Sequence, residues 1–182
     1  MAVYIHLADG FEETEAITVI DLLRRAEIAS ETVSIRGTLN VRGSHGIEII
    51  ADILFEDADY DSCEMIVLPG GMAGTGRLAA HDGLRDKLYS FANSGRMIAA
   101  ICAAPAVVLG PLGILEGRKA TCYPGMEEEM KSAVKSQDKV VCDGNIITSR
   151  GVGTSIDFAL AIIENLKGKE AADRISKSIL AG

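Results

Sequence analysis

The chain has 182 residues, 48% of them apolar, which is enough for a sizeable core, and no apolar run is long enough to span a bilayer. A net charge of −8 argues against nucleic acid and anionic membrane as partners, and the lack of tryptophan, with 4% aromatics, argues against a stacking platform for bases. The opening MAVYIHLADG lacks the basic start and apolar stretch of a secretory signal, so a cytoplasmic, reducing setting is expected, with Cys63, Cys102, Cys122 and Cys142 as free thiols whose spacing matches no zinc pattern.

Ala2 to Ala8 is apolar on both faces, as in a parallel strand covered by helices, and is bounded by Asp9-Gly10. From Glu12 to Arg25 the period becomes helical. Ala16, Ile17, Ile20 and Leu23 make the expected apolar stripe, and Glu12, Glu13 and Glu15 crowd the first turn, where the helix dipole favours acid. Glu31 to Arg36 reads as a second strand. Leu39 to Val41 and Ile47 to Ile50 flank a glycine-containing turn and predict a hairpin. Met65 to Leu68 is a buried strand stopped by Pro69-Gly70-Gly71. Leu84 to Ala92 is helical with Asp82 as its cap, and Met97 to Ile101 is a strand that runs straight into Cys102.

A helix from Ala103 to Leu109 follows, with Pro105 in its first turn. A short strand near Ala120 and a helix from Met126 to Val134 come next. Lys139 to Cys142 and Ile146 to Ser149 flank the turn signal Asp143-Gly144-Asn145. The chain closes with a helix from Ser155 to Leu166, striped by Ile156, Ala159, Leu160 and Ile163, and another over Glu170 to Leu180. No repeat or linker interrupts it, so one domain over 1–182 is expected. Alternating strands and helices predict an α/β fold: a mostly parallel sheet between two helical layers, with ligands beyond the carboxyl ends of the strands.

Three junctions fall at such ends: Asp9 to Glu15, Pro69 to Gly71, and Cys102 to Pro105. At the third, a strand gives way to a helix within one residue, which imposes an uncommon backbone conformation on Cys102, as at a nucleophile elbow. Amides at the start of the helix would favour the thiolate. The alternative is a buried structural thiol, since free cysteine is among the most buried residue types. Gly71 and Ala103 N–H groups would suit an oxyanion, although a Gly-Gly pair is often a plain turn. Glu15 either complements the helix dipole or, if it lies beside Cys102, is protonated by burial and hydrogen-bonds the sulfur. Histidine offers no relay: His6 is inside a strand as a satisfied core residue, His45 is in the hairpin turn, and His81 is in a loop before a helix cap. Cys122 and Cys142 read as packing thiols, Cys63 as a loop or strand-edge thiol, and Met126 and Met130 as packing residues.

Leu7-Ala-Asp-Gly-Phe-Glu-Glu-Thr-Glu15, Ile66-Val-Leu-Pro-Gly-Gly71, Ala99-Ala-Ile-Cys-Ala-Ala-Pro105, Thr148-Ser-Arg-Gly-Val-Gly-Thr-Ser155 and Phe158-Ala-Leu-Ala-Ile162, in this order, resemble the ThiJ/PfpI superfamily. Within it they resemble the branch of the human parkinsonism-associated deglycase. The resemblance implies a flavodoxin-like sandwich, a homodimer, no cofactor or metal, Cys102 as the reactive cysteine, Glu15 as its protonated partner, and backbone amides from Gly70, Gly71 and Ala103. It also implies a pocket lined by Tyr123, His45 and Arg150. Tyr123 and His45 stand where the human protein has a histidine and an arginine, and Val152 where it has a proline.

The function so implied is a glyoxalase or deglycase. The Cys102 thiolate attacks the aldehyde of a 2-oxoaldehyde such as methylglyoxal, Glu15 moves a proton between the two carbons through an enediol, and water releases lactate. Attack on a glycated adduct would be the deglycase version. The alternative is an oxidative-stress sensor or chaperone, because a low-pKa thiolate is also what peroxide oxidises. A cysteine peptidase or amidotransferase is a third reading, and it requires a histidine near Cys102.

Overall fold

The computed structural model describes residues 2–181. Strands β1 (Ala2–Leu7), β2 (Ser30–Ser34), β5 (Ile53–Leu54), β6 (Cys63–Leu68), β7 (Met97–Ile101), β10 (Val140–Asp143) and β11 (Ile146–Ser149) form one sheet in the order β10-β11-β7-β6-β1-β2-β5. Every neighbouring pair is parallel except the β10–β11 hairpin. Two small ribbons stand apart: β3 (Asn40–Arg42) with β4 (Glu48–Ile50), and β8 (Lys119–Ala120) with β9 (Val134–Lys135).

The sheet is covered on both faces, as its uninterrupted apolar strands require. Val3, Ile5 and Leu7 enter one core with α1 (Glu13–Arg25), α4 (Ser155–Lys167) and α5 (Lys169–Ser178). Tyr4, Ile66, Leu68 and Ile98 enter the other, with α2 (Met72–Ala80) and α3 (Asp82–Ser94). This is a mostly parallel α/β sandwich of the flavodoxin-like kind. Among the described residues no helix is long and apolar enough to cross a membrane.

Several expectations need correction. The buried face of α1 is Ala16, Val19, Leu22 and Leu23, with Ile17 41% exposed. The helix is rotated from the expected stripe because Glu13 and Glu15 also turn inward. In α4, Phe158, Ala159, Ile162 and Ile163 are buried, and Ile156 is exposed. The cap of α3 is His81, whose Nδ1 accepts from Leu84 N at 3.0 Å, in place of Asp82.

The expected helix over 126–134 is a single turn at Glu127–Glu129. Beyond it Ser132 takes φ +62°, and Val134 N and Ser136 N donate to Arg118 O and Ala120 O, so pairing with β8 replaces the helical ladder. The helix expected over 103–109 is present as a single wide turn, Pro105–Leu109, with Val107 N donating to Ala103 O at 2.8 Å and Gly110 N to Pro105 O at 2.9 Å. A turn of that length carries little dipole, so any stabilisation of the sulfur is local. Sequence periodicity missed α2 because it contains two interior glycines, each costing about 1 kcal/mol of helix propensity. Gly74 is there because its N–H bonds to Gly10 O at 3.1 Å and a Cβ would strike that backbone.

Candidate active site

Three adjacent strands, β1, β6 and β7, deliver the site at their carboxyl ends. β7 ends at Cys102, which has φ +65°. A non-glycine residue there is strained, and it persists because both its backbone groups are held. Cys102 N donates to Ser149 O at 3.0 Å, and Tyr123 N donates to Cys102 O at 2.8 Å. β6 ends in Pro69-Gly70-Gly71. Gly71 has φ +89°, and a Cβ on it would collide with the backbone of Gly10 and Phe11, so only glycine closes this corner.

Beyond β1, Glu12 caps α1 by accepting from Glu15 N at 2.8 Å. Glu15 is fully buried. Its Oε2 accepts from Gly70 N at 2.8 Å, while Oε1 is buried with no well-aligned hydrogen bond. A Cβ on Gly70 would meet Glu15 Oε2 and fall 2.5 Å from Cys102 Cβ, so the missing side chain makes room for the pair. Burial pushes the Glu15 carboxyl up to about 7, against the opposing pull of Cys102 and the Gly70 amide. Burial, and then the charge and hydrogen bond of Glu15, push the Cys102 thiol up, against the Ala103 and Gly71 amides.

These shifts belong to one coupled pair, because a carboxylate and a thiolate in contact exclude each other. The rise on Cys102 comes in part from an ionised Glu15. With the proton on Glu15 that repulsion vanishes and the carboxyl O–H can donate to sulfur, which leaves burial as the one force opposing the two amides.

The Gly71 and Ala103 amides pull the Cys102 thiol down against its burial. Gly70 is a correction: its N–H is spent on Glu15 and its carbonyl on Glu12 N at 2.9 Å, so it is a spacer and a carboxyl anchor with no free donor. Tyr123, His45 and Arg150 all line the cleft, with Arg150 Nη1 donating to Gln137 O at 2.7 Å.

The role of Glu13 was not legible in the sequence. It is 3% exposed. Its Oε1 accepts from His45 N at 2.6 Å and Ile47 N at 3.4 Å, and its Oε2 from Ser44 Oγ at 3.0 Å and His45 Nδ1 at 2.9 Å. Burial pushes this acid up, but His45 and the loop donors hold it down at about 2. In turn Glu13 raises the His45 pKa. Glu12, Glu13 and His45 bring ligand-type atoms within 4.8 Å of one another, but the Glu13 oxygens are occupied by the hairpin loop.

The remaining histidines lie elsewhere. His6 is fully buried against Tyr60 OH at 2.7 Å, and burial lowers its pKa to about 3. Cys63 and Cys122 are buried. Cys142, expected to be packed, is exposed at the hairpin edge.

The family model described as DJ-1/PfpI matches residues 1–165. The chain is 40% identical to Protein DJ-1 homolog B of Arabidopsis thaliana over 98% of its own length, but it spans only 41% of that relative. It is 32% identical to the glutathione-independent glyoxalase DJR-1.2 of Caenorhabditis elegans, covering 92% of this chain and 89% of that protein. The structure described as oxidized DJ-1 of Toxoplasma gondii superposes with a TM-score of 0.95 at 37% identity, over 98% of this chain and 97% of that one.

Proposed function

This chain belongs to the DJ-1/PfpI family, and from that footing we propose that it is a cysteine-dependent, cofactor-free glyoxalase or deglycase acting on reactive 2-oxoaldehydes or their adducts. The observation that carries the proposal is the buried Glu15 carboxyl, fixed by Gly70 N and raised to about 7, beside a strained Cys102 that opens into a cleft. An acid titrating near neutrality is suited to both giving and taking a proton. A glyoxalase among the relatives adds support.

In this mechanism the S–C bond forms as the aldehyde C=O pair moves onto oxygen, which the Gly71 and Ala103 amides hold. Glu15 gives its proton to that oxygen, and the carboxylate so formed takes the proton from the former aldehyde carbon and returns it to the neighbouring carbon through an enediol. The product is a thioester of lactate. Water cleaves it, restoring the thiol, so methylglyoxal and water become lactate. The test is lactate formation from methylglyoxal without glutathione. Activity that survives Cys102→Ala overturns the reading.

A homodimer and a cytoplasmic setting accompany this reading. Supporting the first, Ile17, Ile156 and Leu180 are exposed and line one surface hollow. Supporting the second, all four cysteines are free. Sedimentation at micromolar concentration tests the dimer.

A redox-sensing role is the second reading, favoured by the oxidized state of the Toxoplasma gondii relative. It predicts selective addition of two oxygens at Cys102 under mild peroxide, with negligible aldehyde turnover. The peptidase reading gains nothing: His6 is held by Tyr60, His81 caps α3, and His45 Nδ1 faces Glu13.

A further inference from the structure

The cleft over Cys102 encloses about 980 Å³. A three-carbon aldehyde fills on the order of 100 Å³, scaling from about 30 Å³ per water-sized unit. Most of the space is therefore available to something attached to the reacting carbons. Its walls indicate what kind of group that is.

Met72 opens α2, Tyr123 follows β8, and Val152 begins the turn before α4. All three line this cleft, and they are 63%, 51% and 47% exposed. Large apolar side chains gathered from three segments around a reactive thiol mark a binding surface. Several polar atoms of the same rim are already engaged. Ser44 and His45 are held by Glu13, Arg150 by Gln137 O, and Thr154 Oγ1 by Ser149 Oγ at 2.7 Å.

Cys102 lines the same cleft as these three side chains. Met72 directly follows Gly71, which lines the cleft with Cys102, and Tyr123 N is bonded to Cys102 O. A thioether adapts to irregular shapes, and a phenol ring stacks on flat ones.

We infer that Met72, Tyr123 and Val152 form an apolar shelf that selects 2-oxoaldehydes, free or as adducts, whose ketone carbon carries an aryl or branched alkyl group. The inference rests on reading Cys102 as the group that attacks the aldehyde. With the aldehyde carbon on sulfur, the buried Glu15–Gly70 corner blocks one side and the ketone substituent extends over the shelf.

The experiment has two arms, each with the wild type and the double variant Met72→Ser/Val152→Ser, whose sites are exposed and do not threaten the core. In the first, kcat/KM is measured for phenylglyoxal and glyoxal, each divided by the rate constant of that aldehyde with 2-mercaptoethanol. The expected wild-type ratio is about tenfold in favour of phenylglyoxal, the low end of what added apolar contact gives in a pocket, and the double variant loses most of it.

The second arm needs no aldehyde chemistry. Iodoacetanilide and iodoacetamide compete for Cys102, with adducts located by mass spectrometry. The same preference over 2-mercaptoethanol is expected, with the same loss in the variant. If no aldehyde turns over while the alkylation preference persists and is lost in the variant, the enzymatic reading falls and the shelf stands. A wild-type ratio equal to that of 2-mercaptoethanol, or a variant that keeps the preference, overturns the shelf. A preference that disappears as protein concentration rises assigns the surface to a second copy of the chain and overturns it too.

Discussion

The amide of Gly70 donates to Glu15 Oε2 at 2.8 Å, and this bond fixes a buried carboxyl beside the Cys102 sulfur. The proton of the Glu15–Cys102 pair is then shared between two groups that cannot both ionise at low cost.

The first expected consequence is kinetic. Alkylation of Cys102 in the wild type follows a two-step pH profile, with the lower step near 7, where Glu15 titrates. Glu15→Gln keeps a donor to sulfur but removes the shared proton, so its profile collapses to one step and lactate formation falls by at least a hundredfold. An unchanged profile in the variant would show that the groups are uncoupled.

Stability responds in a defined direction. The folded pKa of Glu15 is raised from 4.5 to about 7, so its favourable contribution is complete below pH 4.5 and is lost as pH rises through 7. Glu15→Gln is therefore more stable than the wild type at pH 8, by up to about 3 kcal/mol at 1.36 kcal/mol per pKa unit. The difference shrinks on acidification. Urea melts at pH 5 and pH 8 measure it.

His6 acts in the opposite sense. Its folded pKa is lowered from 6.5 to about 3, so the unfolded chain takes up a proton first and stability falls as pH drops below 6.5. Between about pH 4.5 and 6.5 this offsets the gain from Glu15, and the wild type shows little net slope over that window. His6→Asn should become more stable on acidification there, and Glu15→Gln less stable. Matching slopes in the two variants would contradict both assignments.

Gly70→Ala tests the geometry without altering a reactive group. The added methyl would lie 2.5 Å from Cys102 Cβ and against Glu15 Oε2, so the pair must separate. Overpacking of this kind costs about 1–3 kcal/mol. The expected result is a folded protein whose Cys102 alkylates as an ordinary thiol and whose aldehyde turnover is lost, read by mass spectrometry and lactate assay.

Glu13→Ala removes the acceptor for His45 N, Ile47 N and Ser44 Oγ. Unpairing such donors costs about 1–3 kcal/mol. The loop at 43–47 should lose amide protection while β1, β6 and β7 keep theirs, a contrast that hydrogen exchange resolves.

The layers of this fold were legible because β1, β6 and β7 are short, mostly apolar runs, and Cys102 was legible because a strand meets a proline-marked turn there. Position along the chain did not reveal what the helix-start acids do. Glu12, Glu13 and Glu15 look alike in sequence, yet one caps a helix, one anchors a distant loop and one is buried beside sulfur. Only the partners supplied by other segments, His45 and Gly70, separate them. α2 escaped notice for the same reason: Gly74 is a poor helix residue chosen for its approach to Gly10. The helix expected over 126–134 failed because strand pairing with β8 claimed its C-terminal part.

β1, β6 and β7 are interior strands, while β10 and β5 form the margins of the sheet. The β5 margin can therefore fray without disturbing the cleft, whereas loosening β10 reaches it through Ser149, whose carbonyl holds Cys102 N, and through Gln137, whose carbonyl holds Arg150. Heat should then wear the cleft away from its β10 flank first, while losses at the β5 flank leave it competent.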